Sequence, residues 1–186
     1  MHLTAIDAKF DDTGQHRVLV VDDLKDNVTI LRAFLKHHNY TTFAAYSGKE
    51  AIEMVDEIHP DLILLDLNMP GMSGMEVLTH LRTLEALDKT GIILLTASGN
   101  VNELLEAFSI GADDFIQKPY HHIEMLARIQ SVLKMRDIQM KLLDVNRRLD
   151  EFNQGLEVKV ADQVLELEKM NRLRRFFSPQ IAETYL

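Results

Sequence analysis

The sequence predicts a doubly wound α/β domain, a five-stranded parallel sheet covered by helices on both faces, followed by a long coiled-coil helix. Three observations predict it. Short apolar runs rich in Val, Ile and Leu alternate with amphipathic segments between Arg17 and Gln117, the pattern of strands buried on both faces and joined by helices. Those runs end on Asp22, Asp66, Thr96 and Lys118, so polar chemistry gathers at the carboxyl ends of strands, where such folds carry their sites. From His121 to about Phe176 there is no proline and a single glycine, Gly155, while apolar residues recur at alternating steps of four and three, the coiled-coil rhythm.

Residues 1–16 are polar and read as a leader with little structure of its own. Arg17-Val-Leu-Val-Val21 is a Val-rich strand closed by Asp22-Asp23. The stretch Asp26 to His38 places Val28, Leu31 and Leu35 at helical spacing. Thr41 to Ala45 is a weaker strand. Ser47 is expected to cap the next helix, with Glu50 completing a capping box, and that helix stops near Ile58, before Pro60. Leu62 to Leu65 is the third strand, ending at Asp66. Turn chemistry follows at Asn68 to Gly71 and at Ser73-Gly74, then a helix from Met75. Ile92 to Leu95 is the fourth strand, ending at Thr96. A helix over about Val101 to Ile110 is closed by Gly111, and Asp114 to Gln117 is a short fifth strand before Lys118-Pro119.

The chain has 186 residues, enough for one well-buried domain and an extension: residues 17–136 for the domain, 137–176 for the helix, and 177–186 for the start of a linker to an output domain absent from the chain. A formal net charge of −9 argues against non-specific nucleic-acid binding, which needs Lys and Arg on phosphates. With no cysteine there is neither a disulfide framework nor a thiolate metal site. No apolar run approaches the roughly 20 residues of a membrane helix, and no signal-peptide core is visible at the start. A cytoplasmic protein without membrane insertion is the expectation. His121 and His122 are adjacent and do not share a helix face, which disfavours a metal pair.

The coiled-coil seam consists of Ile138, Leu142, Val145, Leu149, Phe152 and Leu156, then Val160, Val164 and Leu167. The consecutive steps of four around Leu156 and Val160 break the register like a stutter, a place where two registers of similar energy can exist. The next seam position is Asn171, a residue type that fixes register at some cost in stability. Such a helix is on the order of 80 Å long and is expected to form a homodimer.

Asp22, Asp23, Asp66, Thr96 and Lys118 converge on one edge of the predicted sheet. Two like charges about 4 Å apart repel by roughly 4 kcal/mol at an effective dielectric of 20, so three carboxylates need neutralisation. Lys118 supplies one positive charge. Mg²⁺, which takes a few carboxylates together with waters and phosphate oxygens, suits the remainder. A carboxylate can also act as a nucleophile toward phosphorus and form an aspartyl phosphate.

These residues carry a resemblance. Val-Leu-Val-Val-Asp22-Asp23, Leu-Leu-Asp66-Leu-Asn-Met-Pro-Gly, Leu-Leu-Thr96-Ala and Gly-Ala-Asp-Asp-Phe115-Ile-Gln-Lys118-Pro119, in this order, resemble the two-component receiver domain, a flavodoxin-like fold, over Arg17 to about Arg136. The resemblance implies that Asp66 accepts a phosphoryl group from a sensor histidine kinase or phosphotransfer protein. It implies that Asp23, Asp66 and the main-chain carbonyl of Asn68 bind Mg²⁺, with Asp22 acting through water. Thr96 would follow the phosphoryl oxygen, Lys118 would pair with it, and Phe115 would be the aromatic switch. The Lys118–Pro119 bond would be cis. Asn68 and Ser98 stand where the family tunes the phosphoryl lifetime. Phe115 lacks the hydroxyl often found at its position, so burial alone would hold its inward rotamer.

The stretch Leu156 to Arg172 resembles helices that join sensor and catalytic modules, and Arg172 to Glu183 is similar to the segment before a class III adenylate or guanylate cyclase domain. The chain itself is expected to be no enzyme beyond its own phosphorylation and dephosphorylation. Two rivals stand against this reading. A phosphatase of the haloacid-dehalogenase type also uses an Asp nucleophile, but Asn68 stands where its general-acid Asp belongs and no cap domain is visible. A receiver-like dimerisation module that is never phosphorylated would be expected to lack an acid, the Thr or the Lys, and none is missing.

Overall fold

The computed structural model describes residues 16–84, 89–97 and 99–177. The leader therefore lies outside the described residues except for residue 16, as do Ser98 and all of the 177–186 linker after residue 177. Five strands, β1 (Arg17–Val21), β2 (Thr41–Ala45), β3 (Leu62–Asp66), β4 (Gly91–Thr96) and β5 (Asp114–Gln117), alternate with α1 (Lys25–His37), α2 (Gly48–Ile58), α3 (Gly74–Arg82), α4 (Val101–Ile110) and α5 (His122–Phe177). The sheet order is β2-β1-β3-β4-β5, and every pairing is parallel. Strand order reverses beside β1, and the crevice at such a switch point is where doubly wound folds bind ligands.

Alternation along the strands builds two cores. Leu19, Val21, Ile63, Leu65, Ile92 and Leu94 face α2, α3 and α4, whose Val55, Ile58, Val77, Leu78, Leu81 and Ala107 fill that side. Val18, Val20, Leu62, Leu64, Ile93 and Leu95 face the other way, against Val28, Leu31 and Leu35 of α1 and Met125, Ile129 and Val132 of α5. Each such side chain, removed from water, stabilises the fold by roughly 1.5–3 kcal/mol. Polar ties close the base of the sheet. The Thr90 hydroxyl donates to the Pro60 carbonyl at 2.8 Å, and Asp113 accepts from Arg82 and from Arg136.

Helix boundaries differ from expectation in a few local details. α1 begins at Lys25 rather than Asp26 and α3 at Gly74 rather than Met75, shifts within the fraying of any helix end. Ser47 does cap α2 by accepting from the Glu50 N–H, but the Glu50 carboxylate turns to the N–H of Tyr46, 2.6 Å away, so the box is not reciprocal. The reciprocal box belongs to α3, where Ser73 and Glu76 satisfy each other's backbone. Gly111 ends α4 with φ +120°.

Two compact units divide the chain, one through Ile138 and the other from Gln139. α5 contributes to both. In the second unit, Leu142, Val145, Leu149, Phe152, Leu156, Val160, Val164 and Leu167 all stand exposed, between 42% for Leu156 and 63% for Phe152. Asn171 is exposed as well.

Candidate functional site

The ladder places the chemistry. Val21 pairs with Leu65, so Asp22 and Asp66, each one residue further, leave the sheet side by side. Thr96 pairs with Gln117, and the Lys118 N–H donates to the Thr96 carbonyl at 2.7 Å, which directs Lys118 toward the same edge. Asp22, Asp23 and Asp66 each bring a carboxylate oxygen within 4.8 Å of the others. The Lys118 ammonium bridges two of them, 3.0 Å from Asp22 Oδ2 and 3.0 Å from Asp66 Oδ2.

These carboxylates are unequal. Asp22 is wholly buried. Its Oδ1 accepts from the Leu24 N–H at 2.9 Å and from the Asn27 amide at 3.1 Å, and its Oδ2 accepts from the same amide at 2.9 Å and from Lys118. Asp66 is 4% exposed, with a long 3.5 Å contact from the Asn68 N–H to Oδ1. Asp23 lies at the rim, half-buried. Burial raises the Asp66 pKa, against the hydrogen bond and charge of Lys118, which lower it. Burial works against the Lys118 ammonium, but the hydrogen bonds and charges of Asp66 and Asp22 together outweigh it, and its pKa is raised.

The donor set fits a hard divalent cation. Carboxylate oxygens of Asp22, Asp23 and Asp66 cluster with no histidine or cysteine in the group among the described residues, the chemistry Mg²⁺ prefers. Beneath Asp66 the backbone is packed tightly by α3. A Cβ on Gly74 would lie 2.8 Å from Leu67 Cα and press on the Asp66 carbonyl oxygen, so only glycine lets the helix approach there.

Residues 18–130 match the family model of the response regulator receiver domain. The chain belongs to that family. This receiver domain is 35% identical over 118 residues to the regulatory protein VanR of Enterococcus faecium, covering 63% of the chain and 50% of that protein. It is 40% identical over 124 residues to the transcriptional regulatory protein ResD of Bacillus subtilis, covering 67% of the chain and 50% of that protein. Among solved structures, the chemotaxis protein CheY4 of Vibrio cholerae superposes with a TM-score of 0.62 at 28% identity, over 64% of this chain and 99% of that one. The chain spans about half the length of the curated relatives it matches. Receiver domains take phosphoryl groups from histidine kinases and bind Mg²⁺ through an acidic cluster, and the cluster here is Asp22, Asp23 and Asp66.

Thr96, Phe115 and the Lys118–Pro119 bond fall at or near this edge. Thr96 is fully buried at the end of β4. The Lys118–Pro119 peptide bond is cis. Phe115 is half-buried, its ring set edge-on to Phe108 of α4 at 6.0 Å, so α4 supplies part of the burial expected to hold it. Two residues of the site escaped sequence reasoning, Asn27 and Gly74. Asn27 looks like any polar residue on the outer face of α1, and only its spacing of five from Asp22 hinted at a reach back to that carboxylate. Ser73-Gly74 reads in sequence as turn chemistry, and the close approach of Gly74 to β3 arises only in three dimensions.

Proposed function

We propose that this receiver domain is phosphorylated on Asp66 by a sensor histidine kinase or phosphotransfer protein, and that the change is passed through a dimeric α5 to an output module. The observation that carries the first part is the Lys118 ammonium set between Asp22 and Asp66 at one sheet edge. In the transfer, an Asp66 carboxylate oxygen attacks the phosphorus of a phosphohistidine. The new O–P bond forms as the N–P bond breaks, and the imidazole leaves with its electron pair. Lys118 is placed to turn from Asp22 toward an equatorial phosphoryl oxygen, and Thr96, at the neighbouring strand end, to donate a hydrogen bond to another. Asp23, Asp66 and the Asn68 carbonyl would hold Mg²⁺, which supplies charge neutralisation at the phosphoryl oxygens. This chemistry is stoichiometric, so the chain acts as a switch rather than as a turnover enzyme. Phosphorylation adds about −1.5 to −2 charges, and a move of Thr96 toward them would make room for Phe115, which rests against α4.

Support for the second part is the exposed apolar seam of α5 from Ile138 to Leu167, a stripe that a lone helix in water leaves unburied. A parallel pair would bury it, and the step change at Leu156 to Val160 would give the pair two registers. Swinging such a pair from 1:99 to 99:1 takes about 5.5 kcal/mol of differential stabilisation. The similarity of Arg172 to Glu183 to a pre-cyclase segment favours a nucleotide cyclase as output, and a cytoplasmic location agrees with a phosphoryl group received from a histidine kinase.

Intact mass after treatment with acetyl phosphate and Mg²⁺ tests the first part. One added phosphoryl group, absent in Asp66→Asn and absent when the metal is chelated, is the expected result. No added mass in the unaltered chain would instead support a dimerisation module that is never phosphorylated. Cysteines introduced singly across Leu149 to Leu167 test the second. Cross-linking patterns identical with and without phosphorylation would contradict a change of register.

A further inference from the structure

Asp22 is saturated. A carboxylate offers about four lone-pair positions, and four donor contacts reach those of Asp22, two of them from the Asn27 amide alone. The carboxylate is wholly buried, so no bulk water competes for it. Asp23, by contrast, accepts no hydrogen bond and makes no ion pair among the described residues, and Asp66 Oδ1 has only its 3.5 Å contact. Two of the three clustered carboxylates therefore present open oxygens to a cation, and the third does not.

We propose that Asn27 is a specificity-determining residue for the bound cation: by filling two acceptor positions of Asp22 it keeps that carboxylate out of the inner coordination shell, which favours Mg²⁺ over Ca²⁺. The inference rests on the reading that the cluster takes a divalent cation. Mg²⁺ is bound through one or two carboxylates and retains several waters, whereas Ca²⁺ gathers about 6–8 oxygens in a flexible shell. Without the amide, Asp22 keeps only the Leu24 N–H and Lys118, and a buried, under-satisfied carboxylate gains by turning to a cation. Ca²⁺ has room for that additional ligand and Mg²⁺ has little. A general rise in negative charge would strengthen both ions together, so the ratio of the two affinities isolates the effect of Asn27.

Calorimetric titration of the full chain with Mg²⁺ alone, and separately with Ca²⁺ alone, tests this without any phosphodonor. In Asn27→Ala the affinity ratio is expected to move toward Ca²⁺ by about tenfold, in line with how ligand number tunes Ca²⁺ sites. Asn27→Gln, which keeps an amide donor at a half-exposed position, is expected to stay closer to the native ratio, and it serves as the comparison if the alanine variant does not fold. An unchanged ratio, with both affinities constant or shifting together, overturns the proposal and leaves Asn27 a structural residue. Binding of neither ion by the unaltered chain would overturn the cation reading beneath it, an outcome distinct from the first and independent of whether Asp66 is phosphorylated.

Discussion

Three carboxylates cluster in this site with one ammonium, which pairs with Asp22 and Asp66, and the excess negative charge opposes folding. Among the described residues Asp23 is the member held by no hydrogen bond, so its removal relieves repulsion at the least loss. Asp23→Asn is expected to raise stability by about 1 kcal/mol in chelator, and to lose that advantage in excess Mg²⁺, where the native carboxylate is a ligand. Urea midpoints with and without Mg²⁺ check both signs. Gly74 lies on the other side of Asp66, where a methyl group would meet Leu67 Cα at 2.8 Å. Although alanine favours helix over glycine by about 1 kcal/mol, Gly74→Ala is expected to lower stability by about 2 kcal/mol through overpacking and to slow phosphorylation by shifting the Asp66 backbone. At this scale the sequence pointed to the residues that gather at the sheet edge, because acids and Lys118 recur at the ends of its strands. It did not show the residues that hold them. Asn27 meets Asp22 only once α1 has docked under β1, and the glycine requirement at position 74 arises from a contact between α3 and β3.

Among the elements, the strands were the most legible. Val-, Ile- and Leu-rich runs buried on both faces have few alternatives, and β2 and β5 have the predicted limits. Caps were less legible. Both Ser47 and Ser73 stand three residues before a glutamate, and only the backbone around each decides which carboxylate turns back to its own cap. Packing between α1, β2 and α5 also lay beyond pattern reading. Phe34 of α1 stacks on His122 of α5 at 4.8 Å. Nearby, the Tyr40 hydroxyl is buried, and the Gln130 side chain approaches it without good hydrogen-bond geometry. Burial there pushes the Tyr40 pKa from 10.0 up to about 12, with Gln130 acting weakly in the opposite direction. Burial penalises the phenolate only in the folded state, so the protein keeps its full stability below the unfolded value of the phenol. Stability falls as pH rises from there through the folded value. Denaturant midpoints are therefore expected to fall between pH 10 and about 12. Tyr40→Phe is expected to flatten the fall, and at neutral pH to leave stability equal or greater, since it removes a buried hydroxyl without a good partner. A fall just as steep in Tyr40→Phe would place the alkaline transition elsewhere.

For the whole molecule, the division at Ile138 separates a unit that holds both cores from one whose apolar seam is exposed. Residues 16–138 alone are expected to fold, to accept phosphate at the same rate as the full chain, and to sediment as a monomer. The full chain is expected to sediment as a dimer. Equal oligomeric state in the two would show that α5 beyond Ile138 does not drive association. Heptad spacing made the long helix legible, because its apolar repeat is written along a single chain.

The proposed switch depends on Asp66 as the phosphoryl acceptor. Borohydride reduction of the chain after acetyl phosphate and Mg²⁺, followed by peptide mass mapping, locates an acyl phosphate directly by the reduced side chain it leaves. Reduction at Asp66 alone is the predicted result, and reduction at Asp22 or Asp23, or at no aspartate, would contradict it.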